Sequence, residues 1–288
     1  MIIFEWLNLW QVNVVLHLIF AVIFNQYYKL AIKDNIRDGA STVLLQIICA
    51  LSFLFLAPFF PFKFSTDYKV YLLLLLALFF YTINDRTQTT ARKGLPVSEY
   101  LIIKQLSKIF LIISGIFIFH EPAIPLKIFG AILILSGNFV LLYKKGKFVF
   151  NKYVWWAVLG TLTLAIGMTI DIGLISQFNM PVYLIVSMLI PAILIIIFEK
   201  ISLSDISSEF NSGKRKEYVF TGIAWCGAIF FMYRAFILGE VVLVVPLTAL
   251  SVLLNVLVAY FFLNEKENLI KNIFVSILIA IGVYFTVS

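Results

Sequence analysis

Apolar runs of about 20 residues follow one another along the whole chain, and the breaks between them are too short to hold a soluble domain. About 20 residues of helix span a hydrocarbon core roughly 30 Å thick. Ten such runs are present: 11–31, 42–62, 70–90, 97–119, 124–143, 153–175, 181–198, 218–238, 242–263 and 269–287. The chain is 62% hydrophobic and 13% charged, with a mean hydropathy of +1.03, which excludes a soluble globular fold. The expected fold class is all-α integral membrane, with ten transmembrane helices in a multi-pass protein of the cell (plasma) membrane. The lipid bilayer is therefore its first partner. Cys49 and Cys226 both sit in apolar runs, so buried thiols are expected and a disulfide framework is not. The first residues carry no basic region or cleavage site, so a removable signal peptide is not expected.

The chain also repeats itself. A shift of 144 residues, half its length, carries Ala91 onto Ala235, Glu121 onto Glu265 and Lys127 onto Lys271 without a gap. Each half holds five runs, and the polar stretch from Lys144 to Lys152 joins them. Five is odd, so the second half enters the membrane in the opposite sense to the first. The expectation is two inverted five-helix repeats, 1–148 and 149–288, an arrangement typical of transporters. Most of the 22 Lys and Arg fall in connections on one side, and only Lys63, Lys69 and Lys127 fall in connections on the other. That bias places both termini outside.

Several short stretches resemble the EamA-like drug/metabolite transporters. They are Glu121 followed by Lys127 to Gly137, then Asn264-Glu265-Lys266 before the last run, and Tyr233-Arg234-Ala235 in run eight. His120 and Asn264 stand where that family often has Gly. The resemblance implies a ten-helix transporter that moves small metabolites such as amino acids, more commonly outward. It also implies termini in the cytoplasm, against the charge bias, so the orientation stays open.

A charge deep in a span costs at least about 2.5–3.5 kcal/mol, so each such residue needs a partner, a wet cavity or a function. Lys104 and Lys108 lie four apart on one helix face, beside Gln105. They must face the bundle interior, either lining a site for an anionic group or pairing with Glu99, Asp85 or Asp171. Asn84 and Asp85, with Arg86 and Gln88, close run three. Either they reach into the bundle or the run ends there in solvent, and for Arg86 the solvated reading is preferred. Asp171 is the lone acid of run six, suited either to proton coupling or to pairing with a lysine. Arg234 is placed to bind carboxylate or phosphate, or to snorkel to the interface. His17 and Asn25 with Gln26 in run one, and Asn255 in run nine, are cavity candidates whose alternative role is interhelical hydrogen bonding. Trp155, Trp156 and Trp225 read as interfacial anchors. Gly130, Gly137, Gly160 and Gly167 offer small faces for close packing. The polar stretch Glu199 to Glu217 reads as a loop, and Arg92 and Lys93 as part of a connection.

No catalytic motif, ATP-binding loop or metal-ligand spacing is present in the sequence. The expected function is a secondary transporter of small anionic or zwitterionic metabolites, with a central cavity lined by runs one, three, four, six, eight and nine. It is expected not to be an enzyme and to need no cofactor. Its further partners are a small-molecule substrate and protons or another coupling ion, and nucleic acid is not one of them. The alternative is a membrane enzyme or flippase acting on a lipid-linked substrate, with a cluster such as Asp85, Lys93 and Glu99. The two differ in whether the polar residues open to a central cavity or to a lateral groove.

Overall fold

The computed structural model describes residues 8–60, 63–107, 109–110, 113, 124–144, 147–148, 150–171, 174, 177–239, 241–265 and 268–287. Helices dominate: α1 (Trp10–Ile32), α2 (Asp38–Leu54), α3 (Tyr68–Gly94), α4 (Val97–Lys104), α5 (Pro125–Leu142), α6 (Lys152–Asp171), α7 (Met180–Glu199), α8 (Leu203–Phe210), α9 (Arg215–Leu238), α10 (Val241–Phe262) and α11 (Leu269–Val287). A two-residue antiparallel ladder, Tyr143–Lys144 with Lys147–Phe148, turns the chain between α5 and α6. Among the described residues, six helices are long and apolar enough to cross a membrane, so this is an α-helical membrane protein. Of run four, residues 97–107, 109–110 and 113 lie within the described residues.

Helix ends follow local chemistry. Asp67 caps α3 by accepting from Lys69 N at 2.9 Å, and Asn179 caps α7 by accepting from Val182 N at 3.0 Å. Asn151 accepts from Tyr153 N and Val154 N to start α6. The helix α8 corrects the expectation of a loop between Glu199 and Glu217. Ser202 and Asp205 form a capping box there, each side chain accepting from the other's backbone N–H. That Ser-x-x-Asp spacing was visible in the sequence. Arg92 and Lys93 are likewise not in a loop, because α3 continues to Gly94.

Packing pairs helices across the halves. The helix α1 lies on α9 and α3 on α6, while α2 packs on α7 and α5 on α11; α10 touches α1 and α11. Glycines permit the closest approaches. A Cβ on Gly160 of α6 would stand 2.6 Å from Thr87 Oγ1 of α3, and one on Gly137 of α5 would stand 2.9 Å from Ile279 Cγ1 of α11. Two apolar clusters result. One joins α1, α2, α3, α7 and α9 around Tyr28, Phe53 and Tyr218, and the other joins α4, α5, α10 and α11 around Ile102, Ile134 and Ile279. Leu72, Leu73, Leu75 and Leu76 of α3 are exposed, which suits hydrocarbon and not water. Cys49 and Cys226 are buried and free.

Connections of alternating order gather at each end. At one end Lys93 (α3–α4) pairs with Asp38 (α1–α2) at 3.3 Å, and Arg37 pairs with Asp205 (α7–α9) at 3.0 Å. At that end Glu265 (α10–α11) also accepts from Val97 N at 2.8 Å, and Tyr153 (α5–α6) abuts Gly94. At the other end Ser65 (α2–α3) donates to Gln177 (α6–α7) at 3.0 Å, and Trp10 packs on Gly239 (α9–α10). The first end carries most of the lysines and arginines and is called the basic end below.

Hydrogen bonds from Ser202 backbone and side chain, reinforced by Arg37, hold the Asp205 carboxyl below its ordinary value of 3.8. A depressed folded-state value stabilises above the unfolded value and is lost as pH falls through the folded one. The hydrogen-exchange protection factors across Leu203–Phe210 should therefore fall below about pH 4. In Asp205→Asn they should be lower already at pH 7 and show no such acid step.

Candidate functional site

A cavity of about 290 Å³ lies in the middle of the bundle, enclosed by α1, α3, α4, α6, α7, α9 and α10. Six of the ten residues singled out in the sequence line it: His17, Asn25, Asn84, Asp85, Lys104 and Gln105. The helix α7 joins the helices expected there, through Tyr183, Leu184, Ser187 and Met188.

Asp85 is the polar centre. It is 5% exposed, and three amides converge on its carboxylate. Gln46 Nε2 donates to Oδ2 at 2.8 Å, while Asn84 Nδ2 and Gln88 Nε2 donate to Oδ1 at 2.9 and 3.1 Å. An ionised carboxylate has room for about four donors, so the amides hold it rigidly without filling it. Lys104 acts on it electrostatically from the end of α4. The wall therefore presents both signs of charge. Lys104 reaches the cavity because α4 loosens there: Gln105 leaves the regular helix, and its Nε2 donates to Leu101 O at 3.3 Å.

Hydrogen bonds fix the polar side chains of the α1 face. His17 Nδ1 donates to Ala228 O of α9 at 2.8 Å, which assigns the proton to Nδ1. Asn25 Nδ2 donates to Ala21 O at 2.7 Å, and its Oδ1 accepts from Arg92 Nη2 at 2.7 Å. Aromatic and thioether side chains fill much of the remainder: Phe24, Tyr81, Trp225, Tyr233, Met168 and Met232. Ser251 and Thr248 of α10 add hydroxyls.

The other candidates lie elsewhere. Asn255 is fully buried outside the cavity lining, where Gln26 Nε2 donates to its Oδ1 at 3.1 Å and ties α1 to α10. Arg234 lines a second cavity toward the end opposite the basic one. Asp171 ends α6 and its side chain lies outside the described residues, as does Lys108 altogether. Trp155 and Trp156 are exposed near the start of α6, as anchors should be. Trp225 corrects its expected role. It stands ten residues into α9, about 15 Å from the helix start, and stacks on Phe24 at 5.4 Å in the cavity wall. Arg86 is half-buried and paired, with Glu199 and, at 3.9 Å, with Asp38, at the basic end.

Sequence reasoning missed Arg92. It is 1% exposed, on the same α3 face as Asp85 and Gln88, one step from the cavity toward the basic end. Its guanidinium lies 5.2, 4.7 and 4.2 Å from the ring centres of Phe24, Tyr28 and Tyr100. Gln46 was also missed, although a lone amide in an apolar run is a readable signal. No group of His, Cys, Asp and Glu suited to a metal ion occurs among the described residues.

Fold and site together define an α-helical membrane protein with a charged cavity buried at mid-bundle. No protein-family model matches the chain, and no curated protein matches it. It is similar in fold to a solved protein described only as "Crystal structure of protein", at TM-score 0.61 and 16% identity over 94% of this chain and 96% of that one. The shared fold thus extends over nearly all of both chains.

Replacing Asp85 by Asn leaves three amide donors facing a group that is half donor itself. The folded state should lose about 1–3 kcal/mol, seen as a lower midpoint of heat unfolding in detergent. Gln105→Leu, which removes a lining amide whose described hydrogen bond is local to its own turn, should leave stability within about 0.5 kcal/mol of wild type.

Proposed function

We propose that this protein is a secondary transporter of small anionic or zwitterionic metabolites, amino acids among them, of the kind its repeated motifs resemble. It would sit in the plasma membrane with ten crossings in two inverted halves, 1–148 and 149–288, and work as an exporter. The observation that carries this reading is the cavity itself, which is central, enclosed by helices of both halves, and lined by an acid and a base on an otherwise largely apolar wall.

Several features support the inverted halves. Shifted by 144, the starts of α2, α3, α4 and α5 fall within three residues of those of α7, α9, α10 and α11. The packing survives exchange of the halves: α1 on α9 corresponds to α6 on α3, while α2 on α7 and α5 on α11 each correspond to themselves. The α1 helix starts at the end opposite the basic one and α6 starts at the basic end, so the two run in opposite senses. Rocking one half against the other would expose the cavity to each side in turn.

The lipid-linked enzyme reading finds less support. It needs a cluster at an interface such as Asp85, Lys93 and Glu99, yet Lys93 Nζ donates to Asp38 Oδ1 and to Asn35 O in a separate cluster at the basic end. Asp85 faces the central cavity.

The test is a thermal-shift screen of purified protein against amino acids, organic acids, sugar phosphates, nucleosides and cationic drugs, wild type beside Lys104→Gln. A ligand specific to the folded state raises stability by roughly 2.7 kcal/mol at a hundred times its dissociation constant. The expected result is a stabilising zwitterion or anion whose effect disappears in Lys104→Gln, and whose uptake into proteoliposomes falls at least about tenfold at unchanged folded yield. Equal loss of uptake and folded yield would assign Lys104 a structural role. Silence across the panel, with folded protein, would favour the lipid-linked substrate.

A further inference from the structure

The end opposite the basic one is poor in cations. Among the described residues only Lys63, Lys69, Lys127 and Arg234 lie toward it. Two of those four, Lys63 and Arg234, line one cavity of about 290 Å³ whose other walls include Phe60, Phe178, Met180 and Ile237. Lys and Arg are disfavoured on this side of a membrane protein, so their convergence on one apolar recess is not what charge bias alone would produce. Position adds a second argument. The recess uses the same two helices as the central cavity, one turn further out. On α7 the lining passes from Tyr183 and Leu184 to Met180, and on α9 from Met232 and Tyr233 to Arg234 and Ile237. It therefore lies near the ends of the helices, at headgroup depth. Exposed Phe59 and Phe64 flank it on the α2–α3 connection. Arg234 Nη2 donates to Asn8 Oδ1 at 3.3 Å, which orients the side chain.

We propose that this recess is a binding site for an anionic amphiphile, in which Lys63 and Arg234 hold a phosphate or carboxylate and the apolar walls hold the first carbons of its chain. Arg matches such an oxyanion through paired N–H donors and Lys as a point charge. The same chemistry is offered by a phospholipid of the adjacent leaflet and by a free single-chain anion. The site is independent of whether the central cavity transports anything.

The experiment is heat unfolding of the full-length protein in dodecylmaltoside, titrated separately with dioleoylphosphatidylglycerol, dioleoylphosphatidylcholine, octyl phosphate and octyl glucoside. It compares the wild type, Lys63→Gln, the double variant Lys63→Gln/Arg234→Gln, and Lys214→Gln/Lys216→Gln as a control for charge at the basic end. Phosphatidylglycerol should raise the wild-type midpoint well above phosphatidylcholine, with an apparent affinity at least about tenfold weaker in the double variant and unchanged in the control. Lys63→Gln changes an exposed side chain, so it keeps the comparison valid if the double variant does not fold, and it should weaken the same titration. Stabilisation by phosphatidylglycerol alone identifies a two-chain membrane lipid, and matching stabilisation by octyl phosphate identifies a free amphiphile as sufficient. Equal shifts by octyl glucoside, equal shifts in the Lys63 variants, or no shift in folded wild type would each overturn the site.

Discussion

A polar group inside a bilayer has no water to turn to, so it must find its partner within the protein. The helix α3 concentrates that problem, because Asp85, Arg86, Arg92 and Lys93 all fall in its last ten residues. Helical periodicity solves it by giving the charges two faces. Positions 85, 88 and 92 share one, and positions 86, 90 and 93 share the next. The first turns inward, placing Asp85 among amides and Arg92 among rings. The second turns toward α2 and α7. There Arg86 meets Glu199 and Asp38, Thr90 donates to Asp38 Oδ2 at 2.7 Å, and Lys93 meets Asp38. One helix therefore supplies both the charged cavity wall and the ionic seam at the basic end.

Arg92 shows how the seam and the cavity depend on each other. Burying an uncompensated cation costs several kcal/mol, and a desolvated cation–π contact returns about 2 kcal/mol or more. Three rings and the Asn25 carbonyl are thus of the right order to hold it. The rings come from α1 and α4, so they surround the guanidinium only if both helices stay docked on α3. Two caps ensure this. Lys29 of α1 donates to the carbonyls of Arg92, Lys93 and Leu95 at the C-terminus of α3. Glu265 accepts from the N-terminal amides of α4, with Asn272 Nδ2 donating to Ser98 Oγ behind it at 3.2 Å.

The hydrophobic runs made the helices legible, because in a membrane length and apolarity nearly suffice. The described helices begin and end within a few residues of those runs, except where α2 stops at Leu54 and gives way to a short turn over Ala57–Phe59, and where α4 ends at Lys104 in a run that extends beyond the described residues. Lys104 and Asp85 were legible for the same reason, since charge in an apolar run has few places to go. What failed was the treatment of run ends. Arg92 follows an apolar run by two positions, and its charge read as solvation, but the aromatic cage that accepts it is built from residues far away in sequence. Trp225 failed similarly. A tryptophan near a run start reads as an anchor until the helix is seen to begin at Arg215. Asn255 and Asn25 were indistinguishable in sequence, both lone amides in apolar helices, and only tertiary packing sends one to a Gln26 clamp and the other to the cavity.

The two ends of the bundle join the halves with different chemistry. At the basic end the ties between them are largely ionic: Arg86 to Glu199, Arg37 to Asp205, Lys214 to Asp34 at 3.8 Å, and Glu265 to the start of α4. Buried Glu209 adds another by accepting from Arg37 N and from Tyr218 Oη. At the opposite end the described ties include neutral hydrogen bonds, Ser65 to Gln177 and Asn179 N to Lys63 O at 2.7 Å, the charge-assisted bond from Arg234 to Asn8, and the packing of Trp10 on Gly239. In the alternating-access reading, opening toward the basic end means separating several charge pairs at once. Exposed ion pairs are individually weak, but Arg86 with Glu199 and Asp38, and Lys93 with Asp38, are partly buried and share partners, so their energies couple.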